Sequence, residues 1–167
     1  MAATTVVKTR CDTSITLNDG TTPTALTYTV TLEPGNLTFT PPRDNFIDII
    51  DRCDIVGSRK TGTAPGSLAF SVHHTSVAGS SEAHLIDFIE GTGSFSAAVS
   101  TGSGQFEGNV REVVITIEGT DHGDNSDQTI TFPKVRLTWD FAEGEPNTIN
   151  VQGVILADPT YAGGTGA

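Results

Sequence analysis

Basic residues are scarce in this chain of 167 residues: nine Lys and Arg stand against twenty Asp and Glu, a formal net charge of −11. That shortage argues against ordinary nucleic-acid binding, which needs Lys or Arg to displace counterions from phosphates. Long apolar stretches are also missing. The longest uninterrupted run is Val154-Ile155-Leu156-Ala157, too short for a membrane-spanning helix or a secretory core. With an opening MAATTVVKTR that holds no apolar core, the expectation is a cytosolic chain. Cys11 and Cys53 are too few for a disulfide scaffold and match no zinc spacing, so both are expected as free, buried thiols.

The usual catalytic arrangements are absent too. There is no G-x-S-x-G elbow, and Gly91-Thr92-Gly93 lacks the third glycine of a dinucleotide fingerprint. No Lys follows a glycine-rich loop as a phosphate cradle requires. His73 and His74 are adjacent, so on a strand their rings point to opposite faces and cannot chelate one ion. Asp121, Asp124 and Asp127 form a weak calcium-loop candidate, but their spacing departs from the D-x-D-x-D-G pattern and a bidentate Glu is missing. Aspartates are also ordinary turn formers. The expectation is a protein that is not an enzyme and carries no cofactor or metal.

What the chain does have is threonine, 26 of them, and 18 glycines. Thr favours pleated surfaces and Gly interrupts helices, so the composition leans towards β structure. Strand period is clear in Ala25–Leu32, where Leu26, Tyr28, Val30 and Leu32 share a face, and it recurs in Ser14–Leu17 and Leu68–Val72. Val110–Gly119 sets Val113, Ile115 and Ile117 opposite Glu112, Val114, Thr116 and Glu118. Thr129–Phe141 sets Val135, Leu137, Trp139 and Phe141 opposite Lys134, Arg136, Thr138 and Asp140, with Pro133 expected to bulge the strand or place it at an edge. Thr148–Leu156 is the last strand. Phe46–Val56 is read as extended, Gly57–Gly66 as a polar loop and Phe95–Gly104 as a hairpin or mobile loop.

One helix is predicted. Ser80 or Ser81 caps it, Leu85, Ile86, Phe88 and Ile89 give it an apolar side, and Gly91 stops it in a left-handed conformation. The expected fold is all-β with one short helix, a β-sandwich or barrel of about eight strands. It forms a single domain over residues 1–167, with mobile ends at 1–5 and 158–167. The expected core includes Leu26, Tyr28, Val30, Phe88, Ile115, Ile117, Leu137 and Trp139.

The order of these elements resembles something known. Leu85-Ile86-Asp87-Phe88-Ile89-Glu90-Gly91 closes a single helix between β segments. Val110–Gly119, Thr129-Ile130-Thr131-Phe132-Pro133-Lys134-Val135-Arg136-Leu137 and Trp139-Asp140-Phe141-Ala142-Glu143-Gly144-Glu145-Pro146 follow it. This layout is similar to the major tail tube protein of long-tailed bacteriophages, or of a phage-derived tail-like particle. The resemblance implies a structural virion protein that self-assembles into stacked, hexameric rings whose bore conducts DNA during ejection. It implies assembly in the host cytoplasm, residence in the virion tail, and tape measure, tail terminator and baseplate proteins as partners. DNA would pass without specific binding, and no membrane is involved. By element order alone, ring-to-ring contacts fall to Gly57–Gly66, Phe95–Gly104 and the two ends.

The charge suits such a bore, because an acidic wall repels DNA where a basic one would hold it. Glu112, Glu118 and Asp140 are the candidate lumen charges. The competing readings are a ligand- or carbohydrate-binding β-sandwich module and a phage capsid decoration protein. Sugar platforms need exposed aromatics, however, and the chain has one Trp and two Tyr.

Overall fold

A computed structural model of the chain describes residues 12–31, 35–75, 83–102, 106, 108–119 and 126–163. The elements run β1 (Thr13–Asn18), β2 (Thr27–Thr29), β3 (Thr38–Thr40), β4 (Arg43–Asp51), β5 (Asp54–Ala64), β6 (Gly66–His73), α1 (Leu85–Glu90), β7 (Val110–Ile117), β8 (Gln128–Ala142), β9 (Thr148–Ile155) and β10 (Thr160–Ala162). Eight strands form one antiparallel sheet in the order β2-β1-β7-β8-β9-β6-β3, with β10 also paired to β8. The sheet does not close into a barrel. The all-β, one-helix class is therefore as the alternation of apolar residues predicts, with an open sandwich-like sheet.

Alternation decides which face is buried. Ile15 and Leu17 of β1, Leu68, Phe70 and Val72 of β6, Val113 and Ile115 of β7, and Ile149, Val151 and Ile155 of β9 all point to one side. There they meet Leu85, Ile86, Phe88 and Ile89 of α1. The helix has only six residues, so its stability comes from this docking. Gly91 ends it at φ 69°, the left-handed stop read from the sequence. The proposed caps Ser80 and Ser81 lie outside the described residues; His84 occupies the N-cap without a side-chain bond.

Several expectations change. Gly57–Gly66 is not a loop: residues 57–64 belong to β5. Phe46–Val56 is not one strand but a hairpin that reverses at Arg52-Cys53. Both residues there have positive φ, 48° and 76°. Cys53 is exposed rather than buried, because it sits at this tip. Cys11 lies outside the described residues. Phe95–Gly104 forms no hairpin among its described residues; it opens with a 3-10 turn over Gly93–Phe95. Within the C-terminal end, expected to be mobile, Thr160–Ala162 pairs with Thr129–Thr131 and continues β9 along the same edge of β8. An irregular stretch over 156–159 separates the two pieces, which hid the strand from a reading by period. Residues 1–5 lie outside the described residues.

Pro133 does bulge its strand. Arg111 faces Val135 and Val113 faces Phe132, so β8 carries one extra residue at this point. The bulge turns Phe132 and Val135 to the same buried side. It also accommodates a residue with no N–H inside a central strand.

The hairpin of β4 and β5 is an outward extension of the β3–β6 ladder, since Arg43↔Ala64 continues the register of Thr40↔Ser67. Gly66 marks the junction. A Cβ at that position would meet the carbonyl oxygen of Thr40 and come within 2.8 Å of the nitrogen of Pro42. Both are backbone atoms and cannot rotate away. Gly66→Ala is expected to lower stability by about 1–3 kcal/mol, read as a fall in the denaturant midpoint; an unchanged midpoint would show that the junction has slack.

Candidate assembly surface

Among the described residues the β4–β5 arm is a two-stranded sheet of its own, with no further strand paired to it. Every residue of β4 is exposed. Phe46 is 60% exposed, Ile50 67% and Ile55 68%, and Ile47, Ile49 and Val56 are comparable. Because neighbours on a strand point to opposite faces, Phe46 and Ile47 make both faces of the arm apolar. Such a ribbon leaves more than half of each large apolar side chain uncovered by the described residues. Exposed apolar area concentrated in this way marks an interaction site.

The arm also differs from the body in charge. It carries Arg43, Arg52, Arg59 and Lys60 together with Asp44, Asp48, Asp51 and Asp54, and is neutral, so the −11 of the chain resides on the remainder. Lys60 Nζ lies 2.6 Å from Asp44 Oδ1, and Thr63 Oγ1 donates to the same oxygen at 2.8 Å. The hydrogen bond from Lys60, then that from Thr63, holds the Asp44 carboxyl below its usual value. This pair bridges the two strands near the root of the arm.

The tip is strained. Left-handed backbone costs a residue with a Cβ about 1–2 kcal/mol, and glycine avoids most of that cost. Cys53→Gly is therefore expected to stabilise the arm by about 1 kcal/mol. The check is slower hydrogen exchange at arm amides with no change in the body; faster exchange would contradict the φ assignment.

A second surface lies on β8. A groove of about 420 Å³ is lined by Ile89, Glu90, Asn109, Arg136, Leu137, Thr138 and Trp139. The indole N–H of Trp139 donates to Glu90 Oε1 at 2.9 Å, and Asn109 Nδ2 donates to the Glu90 carbonyl at 2.8 Å. The C-terminal end of α1 is thus tied to the start of β7 and to β8.

The residues singled out by sequence fall as follows. Val30, Phe88, Ile115 and Leu137 are buried, while Leu26, Tyr28, Ile117 and Trp139 pack against the same cluster with part of their surface exposed. Burial raises the Tyr28 hydroxyl above its ordinary value. Glu112 and Asp140 lie on the sheet face opposite the core, since Val113 and Leu137 point inward. Glu112 accepts from Asn18 Nδ2 at 2.8 Å and Asp140 from Asn150 Nδ2 at 3.0 Å. About 20 Å of strand separates them, and Arg136 shares their face. Glu118 sits at the other end, in a cleft of about 190 Å³ with Asp12 and Asp127.

Asp127 Oδ1 accepts from the Gly119 N–H at 3.1 Å, whereas Asp121 and Asp124 lie outside the described residues. Among the described residues, no three His, Cys, Asp or Glu are placed to hold a metal ion. His73 and His74 do diverge. His73 lines a small cavity with Tyr28 and His84, and His74 packs edge-on against Phe141 at 5.4 Å.

Sequence reading passed over Arg111. Its side chain is fully buried, with Nε donating to the Phe88 carbonyl at 3.1 Å and Nη1 to the Val99 carbonyl at 3.3 Å. The guanidinium also lies over the Phe88 ring, 5.4 Å from its centre. Odd-numbered Val113 and Ile115 point inward on β7, and the same alternation assigns Arg111 to the core; that was the available signal.

No protein-family model matches the sequence, and neither does any curated protein. Solved structures do. A chain of an extracellular contractile injection system, described as the PVC sheath/tube terminator in extended state, superposes with a TM-score of 0.54 at 8% identity, over 90% of this chain and 92% of that one. A chain of the anti-feeding prophage (AFP) baseplate, 6-fold symmetrised, gives 0.54 at 12% identity over 98% of both. Neither is described as a major tail tube protein. The likeness to both is one of fold.

Proposed function

We propose that the protein is a non-enzymatic structural component of a phage-tail-like particle, and that it works by joining copies of itself. The carrying observation is the β4–β5 arm, a neutral ribbon with apolar side chains on both faces projecting from a strongly acidic body. Six-fold symmetry in the AFP baseplate structure supports hexameric rings, and the sheath/tube terminator fold supports a place in a stacked tail. Six copies at −11 each would bring a ring to about −66. A bore lined by the outer sheet face, with Glu112 and Asp140, would let DNA slide without adhering. Tail terminator, baseplate and tape measure proteins are the partners this role requires, and the assembled protein would reside in the tail after forming in the host cytoplasm.

Negative-stain microscopy and sedimentation of the purified protein test the reading. Rings or short tubes are expected as concentration rises or when preformed tail-like particles are added as seeds. A monomer under all these conditions would contradict it.

A further inference from the structure

We infer that the arm of one copy docks edge-on against β8 of the next, in the groove beside Trp139, so that copies join head to tail. The inference rests on the self-assembly reading above and names the second half of its interface.

The strand pairing supplies the first reason. Strand β9 covers β8 from Val135 to Ala142, but β7 pairs no further than Val110↔Arg136. Residues 137–142 therefore present one main-chain edge with no strand partner among the described residues. An open edge is a template for a strand from another chain. The arm offers such strands, because among the described residues β4 and β5 pair only with each other and have no strand on their outer edges.

The groove runs along that same edge. Ile89, Leu137 and Trp139 give it an apolar floor able to receive one of the arm's large side chains. Charge then selects the occupant. Two acidic bodies repel, whereas the neutral arm can approach. At the groove stands Arg136, exposed and without an ion pair among the described residues. The arm brings the exposed carboxylates of Asp48, Asp51 and Asp54. Contact between two different surfaces of one chain is heterologous and propagates into a ring or filament, whereas arm-to-arm contact would stop at a dimer.

Two complementary variants test this. Thr138→Arg fills the groove and leaves the arm intact; Ile50→Ser with Ile55→Ser disables the arm and leaves the groove intact. Each alone should sediment as a monomer where the unaltered protein assembles, and an equimolar mixture should give 1:1 dimers and nothing larger. Arg136→Glu, a change at an exposed side chain that leaves the fold alone, should independently weaken association by about tenfold or more through like-charge contact with the arm. Assembly of the Thr138→Arg and Arg136→Glu proteins at the unaltered level would overturn the docking while leaving self-assembly standing. An unaltered protein that never assembles would remove both.

Discussion

Arg111→Ala is expected to destabilise the body by about 3–5 kcal/mol, the joint cost of a large-to-small change in the core and of buried acceptors left without a donor. The change would leave the carbonyls of Phe88 and Val99 without a donor and open a void beneath the Phe88 ring. Burial lowers the pKa of Arg111, but Asp19 acts in the opposite direction and favours the charged form. Asp19 is itself only 5% exposed. Its carboxylate accepts from the N–H groups of Thr21 at 3.1 Å, Leu26 at 2.7 Å and Val99 at 2.9 Å. These bonds staple the β1–β2 connection to the segment after α1. Arg111→Met should cost less, since it refills the volume and forfeits only the polar contacts. Equal losses for both variants in a denaturant titration would show that the polar contacts alone, and not packing, hold this site.

The same network carries a pH dependence. Burial pushes the Asp19 carboxyl up, but the hydrogen bonds from Thr21, Val99 and Leu26 outweigh it and leave the group below its ordinary value. A carboxyl with a depressed native pKa contributes stability above its unfolded pKa of about 3.9 and loses it as pH falls through the native value. Acid unfolding should therefore steepen below about pH 4. Asp19→Ala should flatten that limb, and an unaltered limb would assign the acid sensitivity elsewhere.

The second large effect concerns association. Ile50 and Ile55 face each other across the arm, near its tip, and both are about two-thirds exposed in the isolated chain. Burying such a side chain is worth about 1.5–3 kcal/mol. Replacing both with serine should weaken self-association by about 100-fold or more. The melting temperature of the body should not move, because neither side chain touches the core. A variant that assembles normally would mean that the arm is incidental to assembly, and a lowered melting temperature would mean that the arm packs on its own body.

How much of this was legible in the sequence depended on what each segment buries. Strands with one face in the core announce themselves: Leu68, Phe70 and Val72 alternate with polar neighbours, and so do Val113 and Ile115. Helix α1 was legible because four apolar residues fall on one side and Gly91 supplies a left-handed stop. The arm was not. Both of its faces are exposed, so no burial imposes a period of two, and its turn uses Arg52 and Cys53 where Gly or Asn would have signalled reversal. Lys60, Thr61 and Thr63 then imitate a polar loop. The groove on β8 was unreadable for another reason: it exists because β7 starts at Val110, a matter of where two strands stop overlapping. Arg111 was readable by parity, but its charge argued for the surface until the two carbonyls and the Phe88 ring were seen around it.

An acidic body of ordinary sheet physics thus carries one element that its own fold leaves unsatisfied. Hydrogen exchange of the arm amides, residues 43–64, followed as protein concentration rises, tests this most directly. Arm docking predicts that protection appears there and along residues 137–142 in step with the growth of larger species, while the core stays unchanged. Exchange in the arm that remains fast while assemblies form would contradict it.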